Sequence, residues 1–251
     1  MISIAASEAK AFFLAEYRLN HLMFEYPKPI TAIVDGIVMG GGVGISEPAK
    51  VRIATERTTY AMPETGIGLF PDVGGGWFLP RLPGRTGVWL ALTGARLKAA
   101  DTVALGIHTH FIDGGAVGAL TGELLATPAD PKAVADRVCG DPGPAPLDAH
   151  REAIDRLFAF DTVEEIFAAL EADGSDFAKE TRATILSRSP SSLRDTEALL
   201  EHAANAPLRD CLTAEFFAAL GTLQRPDFYE GVRAAVIDKD RNPRWSPPLL
   251  S

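Results

Sequence analysis

The sequence predicts an α/β fold that passes into an all-helical region. Three observations carry this. Short runs rich in β-branched residues alternate with helical patterns through about residue 125, the mark of parallel strands linked by helices. Two glycine triplets, at residues 40–42 and 74–76, sit between strand-like and helix-like segments. Beyond a Pro-, Gly- and Asp-rich stretch at residues 126–150, only helical periodicity remains. The expected organisation is an α/β part over residues 1–125 and a helical part over 126–251.

Each element has a local reason. "AKAFFLAEYRLNHLMFEY" repeats apolar residues at three and four, so it reads as a helix, and Pro27 and Pro29 end it. "ITAIVDGIVM" reads as one buried strand run. The first triplet then turns the chain into a short helix near residues 42–49. "VRIAT", "TTYAM" and "HTHFID" read as further short strands. "RTGVWLALTG" and "AADTVALG" read as helices, each closed by a glycine suited to a C-cap. Residues 126–150 are expected to loop over the surface. Thr162 with Glu165 forms a capping-box pattern, and Asp227 with Glu230 suggests a second helix start of the same kind.

Composition narrows the function classes. The chain of 251 residues is 47% hydrophobic and carries a net charge of −9, so it can bury a sizeable core and suits neither nucleic acid nor an anionic membrane as a general partner. No apolar run reaches the length of a membrane span. Residues 1–10, "MISIAASEAK", lack a basic start followed by an apolar core, so no secretory signal is expected. Cys139 and Cys211 stand apart from any CxxC pattern and read as free thiols in a reducing compartment. The expected location is cytoplasmic. The five histidines are scattered, and "HTH" at residues 108–110 reads as packing, so no metal site is expected.

The stretch from Val38 to Trp77 concentrates the chemistry. A glycine-rich turn between strand and helix lets backbone N–H groups approach a ligand oxygen, and the helix start favours negative charge. "GGGVG" lacks the GxGxxG spacing and no Walker lysine follows, so both nucleotide motifs fail. An oxyanion hole and a tight packed turn remain, and the residues alone do not choose between them. Glu64 follows a proline in an apolar setting, where a carboxylate can serve as base or nucleophile; a solvent-facing loop residue is the plainer reading of one Pro-Glu pair. Asp72 opens "DVGGGW" and also reads as the N-cap of the helix that follows.

Three segments, "KPITAIVDGIVMGGGVGIS", "AMPETGIGLFPDVGGGWFLPRLPG" and "LALTGARLKAADTVALGI", resemble the core of the crotonase (enoyl-CoA hydratase/isomerase) superfamily. Within it they are similar to the 3-hydroxyisobutyryl-CoA hydrolase branch. Hydratases carry a second glutamate two residues after the first triplet, where this chain has Gly44; the hydrolases carry the aspartate of "FPDVGGG", here Asp72. "TVEEIFAALEADGSDFA", "SPSSL" and "DFYEGVRAAVIDKDRNPRW" resemble the helical tail of that branch. The resemblance implies a crotonase-like ββα spiral core, N-terminally incomplete, followed by the helical C-terminal region.

The resemblance also implies roles. Glu64 and Asp72 would be catalytic or touch substrate, Gly41 would supply an oxyanion N–H, and Glu16 in "AEYRLN" would line the acyl pocket. The implied reaction is hydrolysis of a short 3-hydroxyacyl-CoA thioester, as in valine breakdown, with an enoyl-CoA hydratase or a non-catalytic acyl-CoA-binding protein as the alternatives. No separate cofactor is implied, since CoA belongs to the substrate; self-association into a homo-oligomer is compatible with the reading. In the family, strands, helices and an "AGxD"-like loop with the second oxyanion donor precede the "AEYRLN" helix. Nothing like that loop lies in residues 1–10, so the chain is expected to match the family without its N-terminal portion and to hydrolyse thioesters poorly by itself.

Overall fold

The computed structural model describes residues 6–246; residues 1–5, part of the segment searched for a secretory signal, lie outside the described residues. In chain order the elements are α1 (Ala6–Phe24), β1 (Thr31–Val34), β2 (Ile37–Met39), α2 (Gly41–Ser46), β3 (Val51–Ala54), β4 (Thr59–Ala61), a 3₁₀ turn (Glu64–Ile67), α3 (Gly75–Phe78) and α4 (Thr86–Thr93). β5 (Leu97–Lys98), α5 (Ala99–Ala104), β6 (His110–Phe111), α6 (Val117–Ala126) and α7 (Pro131–Val138) follow. The rest is helical: α8 (Arg151–Leu157), α9 (Val163–Asp173), α10 (Asp176–Leu186), α11 (Pro190–Ala203), α12 (Leu208–Thr222) and α13 (Pro226–Val232). An α/β arrangement leading into helices is thus what the chain adopts. Among the described residues the contacts group into two compact units that interleave along the sequence: residues 22–61 with 96–149, and residues 6–21 with 62–95 and 150–246.

The first unit holds the strands. β1, β3 and β6 form a parallel sheet in the order β1-β3-β6, with Ile33 opposite Ile53 and Ile53 opposite His110. A second sheet pairs β2 with β4 in parallel and β4 with β5 antiparallel. The expected single strand "ITAIVDGIVM" is therefore two strands in two sheets. The break falls at Asp35 and Gly36, where the Asp35 carboxylate accepts hydrogen bonds from the Thr55 hydroxyl and the Arg57 guanidinium, each at 2.6 Å. Ile37 just beyond is 78% exposed, so this run is not uniformly buried. Val51, Ile53, Ile112, Leu120, Val134 and Ala135 form the core of the sheet and its covering helices.

That core includes a helix where a loop was expected. α7 starts at Pro131, and the Asp130 side chain accepts from the Ala133 N–H at 3.0 Å as its N-cap. Asp-Pro is a strong helix start, but the surrounding glycines and prolines masked it. In "HTH", His108 is buried and its pKa is lowered to about 4, first by burial and then by Arg52. His110 bonds Asp136 at 2.9 Å.

The second unit is helical. In α1, Ala9, Phe13, Tyr17 and Asn20 are buried, a stripe at spacings of four, four and three. α9 has the expected capping box: Thr162 accepts from Glu165 N–H, and Glu165 accepts from Thr162 N–H. α13 differs from expectation. It begins at Pro226 with Arg225 as N-cap, so Asp227 lies inside the first turn. The Asp227 carboxylate instead accepts from the hydroxyls of Ser189 (2.7 Å) and Ser191 (3.1 Å) and from the Ser246 N–H (2.9 Å). Burial explains the change, since a fully enclosed carboxylate takes every donor in reach.

Candidate active site

Asp72 stands at the mouth of the second triplet. After it the backbone takes φ 52° at Val73 and φ 94° at Gly74, then enters the four-residue α3. A β-branched residue at positive φ costs of order 1–3 kcal/mol and persists only where its surroundings enforce it. Asp72 is not the helix cap expected of it. Gly74 occupies that position, while the Asp72 carbonyl accepts from Gly75 N–H at 2.7 Å. The Asp72 side chain faces a buried acidic cluster. The Tyr17 hydroxyl of α1 donates to it at 3.4 Å, a long and therefore weak hydrogen bond.

Glu215 of α12 completes this cluster. It is fully buried, with one carboxyl oxygen accepting from Gly74 N–H at 2.8 Å and the other from Gly76 N–H at 2.9 Å. Burial pushes its pKa up to about 8, against the pull of those two N–H groups and with the help of Asp72. Burial also raises Asp72 to about 7, with Glu16 adding to the rise. Glu16 itself is half-buried and its carboxyl is raised by that burial. Tyr17, ringed by Asp72, Glu215 and Glu16, is held well above an ordinary phenol, mainly by burial. The structure thus brings Glu16 and Asp72 into one electrostatic neighbourhood.

Glu64 is buried, at 4% exposure, at the head of the 3₁₀ turn, which overturns the solvent-facing alternative. The turn is gripped from the helical region. Ser189 N–H donates to the Thr65 carbonyl at 3.0 Å, and the Arg188 guanidinium lies over Gly66, 2.8 Å from where a Cβ would stand. α13 lies against the same turn so closely that a Cβ at Gly231 would collide with the Ile67 backbone, and one at Gly68 with the Asp227 backbone. Glycine is needed at these two points for close approach. "SPSSL" and "DFYEG" are therefore the back wall of the turn that carries Glu64.

Gly41 belongs to the strand-bearing unit. Gly40 takes φ 52°, and Gly41 is the first residue of α2. The N–H groups of Val43 and Gly44 return to the Gly40 carbonyl, whereas a first helical residue has no intrahelical acceptor for its own N–H. Gly41 is exposed.

Sequence reasoning missed Tyr17, Glu215, Ser189 and Asp227 as parts of this architecture. Tyr17 was adjacent to a chosen residue. Glu215 carried a usable signal: it falls on the buried face of α12 with Cys211, Leu212 and Ala219. A carboxylate on an apolar face is rarely left without partners.

A crotonase-type arrangement is what the strand–turn–helix units and the two triplets suggest, and the comparisons agree. The sequence model for enoyl-CoA hydratase/isomerase matches residues 2–251, so the chain belongs to that family. A mitochondrial 3-hydroxyisobutyryl-CoA hydrolase of Xenopus tropicalis is 44% identical over 251 residues, covering 96% of this chain and 65% of that protein. The protein of the same name from Danio rerio is 44% identical, with 97% and 66% covered. A solved carnitinyl-CoA dehydratase from Mycobacterium thermoresistibile superposes with a TM-score of 0.91 at 38% identity, covering 98% of this chain and 71% of that one. The chain spans about 65% of the length of the curated relatives it matches. Among the described residues no helix is long and apolar enough to cross a membrane.

Proposed function

We propose that this protein takes part in hydrolysis of a short 3-hydroxyacyl-CoA thioester, with 3-hydroxyisobutyryl-CoA the first substrate to test. The observation that carries the proposal is the pair of buried carboxyls, Glu64 and Asp72, each seated on a turn fixed by long-range contacts. The relatives' printed names support the substrate class, and Gly44 in place of a second hydratase glutamate argues against efficient water addition to an enoyl-CoA.

In this reading Gly41 N–H donates to the thioester oxygen as negative charge builds there; a preplaced donor is worth a few kcal/mol because it need not reorganise. The Glu64 carboxylate either adds to the carbonyl carbon, expelling the CoA thiolate and leaving an anhydride for water to open, or takes a proton from attacking water. Asp72 holds the substrate 3-hydroxyl or orients Glu64 and water. Glu16 borders the acyl group. No cofactor is assigned, and CoA arrives with the substrate. A homo-oligomer and a cytoplasmic location remain part of the proposal.

The test is thiol release from 3-hydroxyisobutyryl-CoA beside loss of enoyl absorbance from crotonyl-CoA. It should be run on this chain and on the chain joined to the N-terminal portion of a curated relative. Thiol release without enoyl loss supports the hydrolase. Enoyl loss alone makes the protein a hydratase, and binding of acyl-CoA with neither activity makes it a binding protein.

A further inference from the structure

We infer that Glu215 is a positioning residue for Asp72: its carboxyl grips the N–H groups of Gly74 and Gly76 and so holds the turn that aims Asp72. The inference rests on the proposed role of Asp72 in recognising the substrate hydroxyl.

The geometry has three parts. First, the turn will not keep its shape unaided, because Val73 sits at φ 52° with a branched side chain. Second, the side chain that takes up the turn's N–H groups comes from α12, 139 residues beyond Gly76, and each of its oxygens takes one backbone donor. Third, the fit is tight. A Cβ at Gly76 would stand 3.0 Å from the Glu215 Oε1, so the third glycine of the triplet is the one that admits the carboxyl. Glu215 is fully buried and touches no solvent, so the cost of burying it is met where it acts, on this turn.

The role is specific to a carboxyl. Either protonation state of a carboxyl leaves a lone pair on both oxygens for an N–H donor. A glutamine of the same shape offers one such oxygen, and its NH₂ would point at the second N–H with no lone pair to accept it. Glu215→Gln therefore keeps the volume and loses the grip.

Two readouts test this on the whole chain, for wild type, Glu215→Gln and Gly76→Ala. The last presses on the Glu215 oxygen without removing it and serves if Glu215→Gln does not fold. One readout is the ratio of kcat/KM for 3-hydroxyisobutyryl-CoA to that for isobutyryl-CoA. The other is hydrogen exchange at the amides of residues 74 and 76. In a variant that stays folded, the ratio should fall about tenfold and exchange should accelerate at least about tenfold. A general loss of stability would lower both substrates together and leave the ratio unchanged. The inference is overturned by unchanged exchange at both amides, or by faster exchange with an unchanged ratio. If neither thioester is hydrolysed by this chain or by the chain joined to the N-terminal portion of a curated relative, the proposed activity fails, and amide exchange alone then decides whether Glu215 holds the turn.

Discussion

At residues 40–42 the chain leaves β2 and enters α2 on an exposed Gly41; at 74–76 an equally glycine-rich turn enters α3 with two N–H groups already held by Glu215. Both turns begin with a glycine at positive φ, 52° and 94°, and both start a helix on the second glycine. The placing of the helix start is shared, although ψ is −126° at Gly40 and 5° at Gly74; what occupies the N–H groups is not. The difference comes from a side chain far along the sequence. It teaches that a triplet announces access to backbone donors, while a distant partner decides whether those donors are spare for a ligand or spent on structure. In the proposed reading the first turn offers a hydrogen bond to substrate, and the second offers a carboxyl, Asp72, whose aim is fixed from behind.

The largest effect belongs to Glu64, the carboxyl proposed to do chemistry rather than support. Glu64→Gln should lower thiol release from 3-hydroxyisobutyryl-CoA by about 10²–10⁴-fold, the usual worth of a general acid–base group. Unfolding temperature should change little, since the substitution keeps size and shape. Wild-type turnover in that variant would take Glu64 out of the mechanism and leave Asp72 as the remaining candidate carboxyl.

The next pair of substitutions sets one turn against the other. Proline is tolerated at the first position of a helix, where its missing N–H has no intrahelical acceptor. Gly41→Pro should therefore keep the fold while costing about 10²–10³ in turnover, the price of one oxyanion donor. Gly76→Ala should weigh mainly on stability, beside its roughly tenfold loss of preference for the hydroxylated substrate. Crowding at 3.0 Å from the Glu215 oxygen is an overpacking error worth about 1–3 kcal/mol, seen as a lower unfolding temperature. A Gly41→Pro variant with full activity, or one that unfolds while Gly76→Ala does not, would erase the distinction between the turns.

This contrast marks how far the sequence could be read. Elements fixed by neighbours were legible: α1 by its spacing, α9 by Thr162 and Glu165, and α4 by the glycine after it. Glu64 and Asp72 were legible through their motifs, and both prove buried. What failed were features set by remote partners. The break at Asp35 depends on Thr55 and Arg57, the position of Asp227 depends on Ser189 and Ser191, and the second triplet depends on Glu215. β5 was not anticipated, because its two residues are a strand only through pairing with β4. Each of these partners lies twenty or more residues away along the chain.

A smaller effect should separate recognition from support. Asp72→Asn replaces a group that forms charge-assisted hydrogen bonds with a neutral one, a difference of roughly tenfold for a bonded hydroxyl. If Asp72 reads the 3-hydroxyl, kcat/KM should fall about that much more for 3-hydroxyisobutyryl-CoA than for isobutyryl-CoA. Equal losses on the two substrates would assign Asp72 to orienting Glu64 or water.

The smallest effect is a slope. Burial raises Asp72 to about 7 and Glu215 to about 8 in the folded protein, whereas unfolded carboxyls titrate near 4. A raised carboxyl means that the native state binds the proton more tightly, so its contribution is complete below the unfolded pKa and is lost as pH rises through the folded one. Glu47, raised to about 7 by burial, acts with the same sign in the strand-bearing unit. His108, lowered to about 4, works in the opposite sense but only up to its unfolded value near 6.5. Asp173 and Glu230, held near 2, contribute at the acid end. Between pH 6.5 and 8.5 the buried carboxyls thus govern these terms, and unfolding temperature should fall across that window, by roughly 2–4 °C for each kcal/mol lost. The groups facing Glu215 are Asp72, Tyr17 and Cys211, with Glu16 beyond Tyr17; the phenol and both neighbouring carboxyls are raised. Glu215→Gln removes one of the titrating carboxyls of the second turn, and Asp72→Asn the other, so each variant should show a shallower fall than wild type. Gly41→Pro removes no titrating group and should keep the wild-type slope. Parallel slopes in all four proteins would mean that the second turn is not built on a strained acidic pair, and the difference between the two triplets would reduce to which N–H groups are open.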